Sequence, residues 1–261
     1  MSEGLRCEDR GAVRTITISR PEKKNAITLE LLREMSEKLD EAAASREIRA
    51  VAIAGDGGSF CSGADLGNVG GGGERVDIEA AIRADLHGTV RRLRAVVEKP
   101  TVALVDGTAV GFGCDLAMAC DIRLCSSRAV FSELFGRRGL VPDGGGTFHL
   151  PRIVGLGRAM ELFFTGEKVD AQEAWRIGLA NKVWPAESFA DEARAYLDRL
   201  ARTAPLAVAY TKRCVNAALD ATLETALANE ARHQLLCLRS NDFMEGLSAF
   251  FAKREPDFKG D

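Results

Sequence analysis

The sequence has 261 residues, which is long enough for one large domain or for one domain with an appendage. Of these residues 46% are hydrophobic and 28% are charged, a composition that is typical of an ordinary globular protein. Its formal net charge of −3 excludes a nucleic-acid binder that works by bulk positive charge. The seven cysteines form no CxxC pair and the three histidines are not at ligand spacing, which argues against a zinc site and predicts reduced thiols in a cytoplasmic protein.

Predicted strands and helices alternate through the first half of the sequence. The run 13–18 (VRTITI) alternates apolar and polar residues, which predicts a half-buried strand. Thr28 is the expected N-cap of an amphipathic helix whose apolar residues recur at gaps of three and four. The apolar runs 50–54 and 102–106 predict buried strands, and an arginine-rich helix is expected between them at 78–98. This alternation predicts an α/β layer fold.

Loop and helix signals dominate the remaining segments. A stretch dense in glycine, with GGGG at 70–73, predicts a mobile loop before the arginine-rich helix. Helical runs are expected at 156–165 and 170–178, followed by a short apolar segment near 182–184. Pro185 then begins a tail that is predicted to be entirely helical.

The third helix of this tail carries an apolar stripe. Its apolar residues recur at gaps of four and three from Leu223 to Leu238. Such a stripe packs either on the chain's own core, which is the commoner case, or on another protomer. No uninterrupted apolar run approaches the roughly 18 residues of a membrane helix, and the sequence starts without a secretory signal, so we expect no membrane partner.

Two glycine-bearing turns, each with one aspartate, carry the strongest functional signal. Gly111 and Gly113 allow a tight turn before an apolar helix predicted at 114–120, whose first turn holds Asp115. A helix start presents unpaired N–H groups and a positive dipole end, which can stabilise an oxyanion. Asp143 lies in the second turn, VPDGGGT. Each aspartate also has a structural interpretation, Asp115 as a partner of the helix dipole and Asp143 as an Asx-turn or N-cap residue.

Six segments carry a family resemblance: SRPEKKNAIT, FCSGADL, GTAVGFGCDLAMACDIR, LVPDGGGTFHLPRIVG, AMELFFTGEKVDAQEAWRIGLANKV and EGLSAFFAKREPDF. Together they resemble the enoyl-CoA hydratase/isomerase (crotonase) superfamily along nearly the whole chain. The resemblance implies an α/β fold, a crotonase-like spiral of ββα units at 1–184, and a helical trimerisation region at 185–261. It further implies a homotrimer or dimer of trimers that acts on acyl-CoA thioesters, with CoA as part of the substrate and no separate cofactor.

The resemblance also implies an oxyanion hole made of two backbone N–H groups, at Ala64 and Phe112. Negative charge develops on the thioester oxygen when the substrate becomes an enolate, and two amides aimed at that oxygen stabilise it. Phe112 departs from the small residue usual in the family, and a bulky ring there could reshape the pocket. The alternative is that both turns only reverse the chain direction.

The predicted acid set resembles that of the isomerases in the family. Asp115 aligns with the first catalytic Glu of the hydratases, whereas the position of their second Glu aligns with Phe135, which cannot transfer a proton. Asp143 aligns with the aspartate that serves as the base in the dienoyl-CoA and phenylacetate-pathway isomerases. We therefore favour double-bond isomerisation of an enoyl-CoA or dienoyl-CoA. Hydration of 2-enoyl-CoA and a non-catalytic acyl-CoA-binding scaffold remain as alternatives.

The surroundings of these carboxyl groups predict different protonation. The apolar neighbours Leu140, Val141 and Phe148 are expected to limit hydration of Asp143 and so raise its pKa. Asp115, at a helix start, is expected to favour its ionised form. Glu133 is a further catalytic candidate, because on a strand it would face the same side as Phe135, although a solvated or paired surface role is commoner for Glu.

The CoA-binding residues are also carried over from the resemblance. Backbone groups are expected to hold CoA, and a Lys near the C-terminus is a reasonable partner for a phosphate, although a solvated tail is its alternative role. The expected residues are Ala26, Ala64, Asp65, Leu66, Gly67, Phe250 and Lys253.

Overall fold

A computed structural model describes residues 4–65 and 78–261. The glycine-rich loop predicted at 70–73 lies outside the described residues, as do Leu66 and Gly67, two of the expected CoA-binding residues. Among the residues described, no helix combines the length and the apolar character needed to cross a membrane.

The described residues form two sheets. Their strands are β1 (Leu5–Arg10), β2 (Val13–Ile18), β3 (Ala50–Gly55), β4 (Ser59–Cys61), β5 (Thr101–Val105), β6 (Thr108–Val110), β7 (Ile122–Ser126), β8 (Val130–Ser132), β9 (Val169–Asp170) and β10 (Lys182–Trp184). The larger sheet has the order β1-β2-β3-β5-β7-β10 and is parallel except for the β1/β2 pair. The smaller sheet has the order β4-β6-β8-β9 and is parallel except for the β8/β9 pair.

Helices cover these sheets and continue to the C-terminus. The helices of the described part are α1 (Leu29–Ala44), α2 (Ile78–Ala81), α3 (His87–Arg91), α4 (Phe112–Ala119), α5 (Gly146–Val154), α6 (Leu156–Thr165), α7 (Ala171–Arg176), α8 (Phe189–Leu200), α9 (Pro205–Ala218), α10 (Leu223–Leu238) and α11 (Asn241–Ala252). Short 3-10 helices lie at Pro21–Lys23 and Leu134–Arg138. The π-helical turns Ile82–Leu86 and Arg92–Val96 flank α3.

The larger sheet is buried on both faces, which is why its central strands are apolar throughout. Ile53 of β3 packs in one apolar cluster with Met35 of α1. Ala52 of the same strand belongs to a second cluster with Phe189 and Leu197 of α8. Each large side chain buried in this way contributes roughly 1.5–3 kcal/mol. The predicted layering of strands and helices is therefore present.

Several predicted boundaries coincide with the structure. The strand expected at 13–18 and the helix expected at 156–165 are β2 and α6, and the short apolar segment near 182–184 forms β10. Thr28 caps α1 as expected, because its hydroxyl accepts a hydrogen bond from the Leu31 N–H at 3.3 Å. The apolar helix begins at Phe112, two residues before its predicted start, so Asp115 lies in its first turn.

The apolar stripe of α10 does not pack on the chain's own core. Leu223 is 68% exposed and Leu235 is 55% exposed, and α10 contains no buried residue. The expectation that the stripe packs on the chain's own core is therefore wrong for the single chain. Leaving apolar side chains in water has a free-energy cost, so this face is suited to contact with another protein surface.

Asn25 fixes the turn between β2 and α1. It is fully buried with φ +58°, its side-chain oxygen accepts from the Arg20 N–H at 2.8 Å, and its Nδ2 donates to Asp56 O at 2.8 Å and Ser59 O at 2.6 Å. These bonds join the turn to the segment between β3 and β4. They therefore set where the following residues of both segments lie.

We expect Asn25→Ala to lower the free energy of unfolding by roughly 2–4 kcal/mol, because it leaves buried backbone groups unpaired and keeps a left-handed backbone. Lys24→Ala is the matched control, since Lys24 is exposed and also has a positive φ, of 50°. Urea denaturation of both variants measures the difference. Equal losses would contradict a special role for the Asn25 side chain.

Candidate active site

The turn at Ala64 leaves its amide without a partner among the described residues. Ile27 forms a bridge with this turn, in which the Ile27 N–H donates to Gly63 O at 2.9 Å and the Asp65 N–H donates to Ile27 O at 2.8 Å. The Ala64 N–H lies between these two bonds and donates to none of the residues described. Ala64 is exposed, so a ligand can reach this amide.

The amide of Phe112 lies beside this turn. It is the first residue of α4, so its N–H has no partner within the helix, and it donates to no other residue of the described ranges. A Cβ added to Gly63 would lie 3.8 Å from the Phe112 nitrogen, which shows that the two turns are adjacent. The structure thus brings together the two amides that the sequence analysis paired.

Gly113 sets the distance between the two turns. A Cβ at this position would lie 2.0 Å from Cys61 O, at the end of β4. Only glycine therefore lets the start of α4 approach the strand that leads to Ala64. The second glycine of the predicted turn, Gly111, has φ +55°, which glycine adopts without strain.

The ring of Phe112 is buried against the second turn. Phe112 is only 2% exposed, and a Cβ added to Gly144 would lie 2.7 Å from the Cδ2 atom of its ring. The bulky side chain at this position is thus accommodated by a glycine next to Asp143. The ring of Phe112, from the first turn, therefore packs directly on the second turn.

Asp115 joins the same two turns through a hydrogen bond. It is fully buried, and its Oδ2 accepts from the Gly144 N–H at 2.8 Å. Burial, followed by the neighbouring Glu133 charge, raises the pKa of Asp115 well above its ordinary value, and the Gly144 N–H only partly opposes this. The expectation that the helix start keeps Asp115 ionised is therefore wrong, because burial and a second carboxylate outweigh the helix dipole.

Glu133 is an interior residue and does not lie on a strand. β8 ends at Ser132, and Glu133 precedes the 3-10 helix Leu134–Arg138 as its N-cap residue. It is 2% exposed, and neither carboxyl oxygen has a hydrogen bond of ordinary geometry within the described part. Burial raises the pKa of Glu133 to about 7. The strand placement and the surface role expected for Glu133 are both wrong.

Phe135 lies near the first turn, since a Cβ added to Gly111 would lie 3.7 Å from the Cζ atom of its ring. The small cavity beside Glu133 is lined by other residues, namely Cys114, Phe131, Ser132, Glu133, Leu150, Leu162, Glu167, Val169 and Leu179. Glu133 and Phe135 therefore have different surroundings, since Glu133 precedes the 3-10 helix and Phe135 lies within it.

Asp143 is half-buried beside these groups. Its Oδ1 is buried without a hydrogen-bond partner among the described residues. Burial raises the pKa of Asp143, and the backbone N–H and the nearby His87 oppose this rise. Leu140 and Val141 are exposed in the single chain, so they do not supply this burial as predicted. Gly145, and not Asp143, is the N-cap residue of α5.

Sequence reasoning missed the role of His87. Its Nε2–H donates to the main-chain oxygen of Asp143 at 3.0 Å, across 56 residues of sequence. His87 begins α3, where nothing in the local pattern distinguishes it from other helical residues. Only the fold, which places α3 beside the second turn, identifies it.

The described CoA-binding candidates form two separate groups. Ala26 and Asp65 lie on either side of the Ile27–Ala64 bridge, and Arg20 contacts both, donating to Ala26 O at 2.6 Å and pairing with the Asp65 carboxylate at 2.9 Å. Phe250 and Lys253 lie at the exposed end of α11. No hydrogen bond or ion pair within the described ranges links them to the bridge.

A family model described as Enoyl-CoA hydratase/isomerase matches residues 8–261. The chain belongs to the enoyl-CoA hydratase/isomerase family. It is an enzyme of crotonase type, and the resemblance seen in its sequence is confirmed. A crystal structure of an enoyl-CoA hydratase from Bacillus anthracis matches with a TM-score of 0.94 at 30% identity, over 99% of this chain and 100% of that one. The crotonase-like α/β fold with C-terminal helices is thereby confirmed as well.

Relatives within the family carry two kinds of name. The short-chain-enoyl-CoA hydratase of Clostridium acetobutylicum is 36% identical over 249 residues, which are 95% of this chain and 94% of the relative. The 1,2-epoxyphenylacetyl-CoA isomerase of Escherichia coli is 37% identical over 250 residues, which are 95% of both chains. Similarity of this degree to both does not separate hydratase from isomerase.

We expect Gly146→Ala to disturb the site, because the new Cβ would lie 2.2 Å from the Asp115 Oδ1 atom. The strain should lower the free energy of unfolding by roughly 1–3 kcal/mol and reduce acyl-CoA turnover at least about tenfold. Gly157→Ala in α6 is the control, since a Cβ there meets nothing within 4 Å. It should leave turnover unchanged and stability unchanged or up to about 1 kcal/mol higher. Urea denaturation and turnover assays compare them, and matching results for the two variants would refute the contact.

Proposed function

We propose that the chain moves a double bond within an unsaturated acyl-CoA thioester, with Asp143 as the proton shuttle. The observation that carries this proposal is a buried carboxylate oxygen of Asp143 that has no partner among the described residues, on a turn packed against Phe112, whose own turn adjoins the Ala64 turn. This arrangement supports a base and a pair of oxyanion donors acting on one substrate. Both are required for chemistry through a thioester enolate.

The two amides lower the energy of the enolate. When a proton leaves the α-carbon of a 3-enoyl thioester, the electron pair delocalises onto the thioester oxygen as a dienolate. The N–H groups of Ala64 and Phe112 would each stabilise that charge by roughly 3–4 kcal/mol, by comparison with measured oxyanion holes. The same carboxyl group can then return the proton to the γ-carbon, which gives the 2-enoyl thioester and restores the base.

The different environments of the carboxyl groups support this assignment of the base. Asp143 is half-buried beside His87, whereas Asp115 is fully buried beside Glu133. Burial raises the pKa of Asp143, and burial together with the Glu133 charge raises the pKa of Asp115 well above its ordinary value. Asp143 is therefore the more readily ionised of the two, which suits it to the role of the base.

Hydration of 2-enoyl-CoA is the second candidate, and the name of the Clostridium acetobutylicum relative favours it. It would use Asp115 and Glu133 to hold and activate water. Glu133 is 2% exposed and lines only a small cavity, and Phe135 occupies the position where the family's hydratases carry their second Glu. These features make a carboxyl pair acting on water the less favoured arrangement.

CoA binding is proposed to follow the family pattern. Ala26, Asp65 and the Ala64 turn, together with Leu66 and Gly67, would hold the thioester end of CoA. Phe250 and Lys253 would meet the adenosine end on a neighbouring protomer, because both are exposed at the end of α11.

We expect Asp143→Asn to reduce isomerisation of a 3-enoyl-CoA by about 10²–10⁴-fold, because it keeps the shape of the side chain and removes the base. Affinity for the acyl-CoA should stay nearly constant by calorimetry. Because burial raises the pKa of Asp143, wild-type activity should fall with decreasing pH through a midpoint above the ordinary aspartate value of 3.8.

The control for this experiment is Asp191→Asn, which removes an exposed carboxylate on α8. It should leave activity unchanged. Products from 2-enoyl-, 3-enoyl- and dienoyl-CoA are followed by mass and absorbance. Normal isomerisation by Asp143→Asn, or a wild type that only adds water to 2-enoyl-CoA, would replace this proposal with hydration. A wild type that binds all three thioesters and converts none would indicate a scaffold.

We also propose a homotrimer or a dimer of trimers. Exposed apolar residues of the last helices, among them Leu223, Leu227, Phe250 and Phe251, support an interface on this face. Light scattering at micromolar concentration should give three or six times the chain mass. A stable monomer would overturn this proposal, and Leu227→Asp, on the exposed stripe, should shift the assembly towards smaller species.

A further inference from the structure

Asp115 and Glu133 form a pair of buried carboxyl groups that lack enough hydrogen-bond donors. Asp115 is 0% exposed and Glu133 is 2% exposed. Oδ1 of Asp115 and both carboxyl oxygens of Glu133 have no hydrogen bond from any described residue. The two groups lie close enough for one to donate to the other when it is protonated. Two neighbouring buried anions that share only the Gly144 N–H as a donor cannot both persist in such a site, so at least one proton stays with the pair.

The cavity beside Glu133 is separate from the proposed oxyanion turns. The lining of the cavity beside Glu133 includes neither oxyanion turn nor Asp143. The titratable groups that face the pair are the Cys114 thiol on α4, Asp143 on the second turn, and Glu167 at the edge of the cavity. None of these is a cation. Because no cation among these described neighbours can offset the charge of the pair, a shared proton is what reduces it.

We propose that Glu133 is a positioning residue that shares a proton with Asp115 and thereby keeps Asp115 bonded to the Gly144 N–H. That bond, of 2.8 Å, holds the turn on which Asp143 sits. Glu133 acts on the reaction only through Asp115 and the turn, without contact with the substrate. The effect on catalysis rests on the proposed function of Asp143, whereas the shared proton does not.

The sign of the pH dependence follows from the raised pKa of the buried groups. Glu133 has a pKa of about 7 in the fold against an ordinary value of 4.5, so the folded chain binds a proton that the unfolded chain has lost. The folded state therefore becomes less stable as the pH rises from about 4.5 to about 7. For this one proton, the unfolding equilibrium constant rises by up to about tenfold per pH unit in that range. Glu133→Gln should remove this dependence.

The decisive experiment follows the infrared carbonyl band of protonated carboxylic acids across pH in the wild type and in Glu133→Gln. The wild type should show one acid that titrates near pH 7 and a second, Asp115, whose pKa is raised well above the ordinary aspartate value. In Glu133→Gln the step near pH 7 should be absent. The remaining acid should lose its proton at least one pH unit earlier, a tenfold fall in proton affinity. Glu167→Gln, at the same cavity, is the control and should change neither step.

Catalysis supplies the second measurement. Glu133→Leu should lower the kcat of isomerisation about tenfold with KM changed less than twofold, and Glu133→Gln should restore most of the loss at pH 6, because Gln still bonds to Asp115. If Glu133→Leu does not fold, the titration of Glu133→Gln decides alone. An unchanged titration in that variant overturns the shared proton. A changed titration together with normal isomerisation by Asp143→Asn overturns the proposed function instead.

Discussion

The hydrogen bond from the Gly144 N–H to the Asp115 carboxyl is the contact on which the site depends. Asp115 belongs to α4, whose first residue carries one of the two proposed oxyanion amides, and Gly144 follows Asp143 directly. One bond of 2.8 Å therefore joins the helix that carries a proposed oxyanion amide to the turn that carries the proposed base. Because it is buried, losing it would leave a polar group unpaired, at a cost of roughly 1–3 kcal/mol.

Glycine makes this contact possible at three positions. A Cβ at Gly113 would collide with Cys61 O, one at Gly144 with the Phe112 ring, and one at Gly146 with the Asp115 carboxyl. The requirement at each position is space, since none of the three has a positive φ. The density of glycine in the two turns thus reflects close packing of backbone on side chain, and the site is assembled by three such approaches.

Sequence patterns predict the long elements and the two turns but not the relations between them. β2 and α6 are long enough to show their periodicity, whereas β4, β6 and β8 have three residues each and carry no period to detect. The pairing of the Ala64 and Phe112 turns came from family resemblance, because nothing local relates segments so far apart. His87 and the burial of Glu133 depend on how distant elements pack, and general preferences of Glu for the surface pointed the other way.

Three carboxyl groups lie near the proposed oxyanion hole, and their negative charges would oppose the formation of an enolate there. A full negative charge about 6 Å from an enolate would raise its energy by roughly 3 kcal/mol at an effective dielectric constant of 20, which is comparable to the benefit of one amide. As the proposed base, Asp143 would avoid this penalty, because it becomes neutral as the enolate forms. Asp115 and Glu133 have no such compensation, so a proton shared between them would lower the barrier by removing one negative charge from the pair. Burial of this pair without cations is therefore suited to enolate chemistry, since it keeps the field at the thioester oxygen from becoming negative.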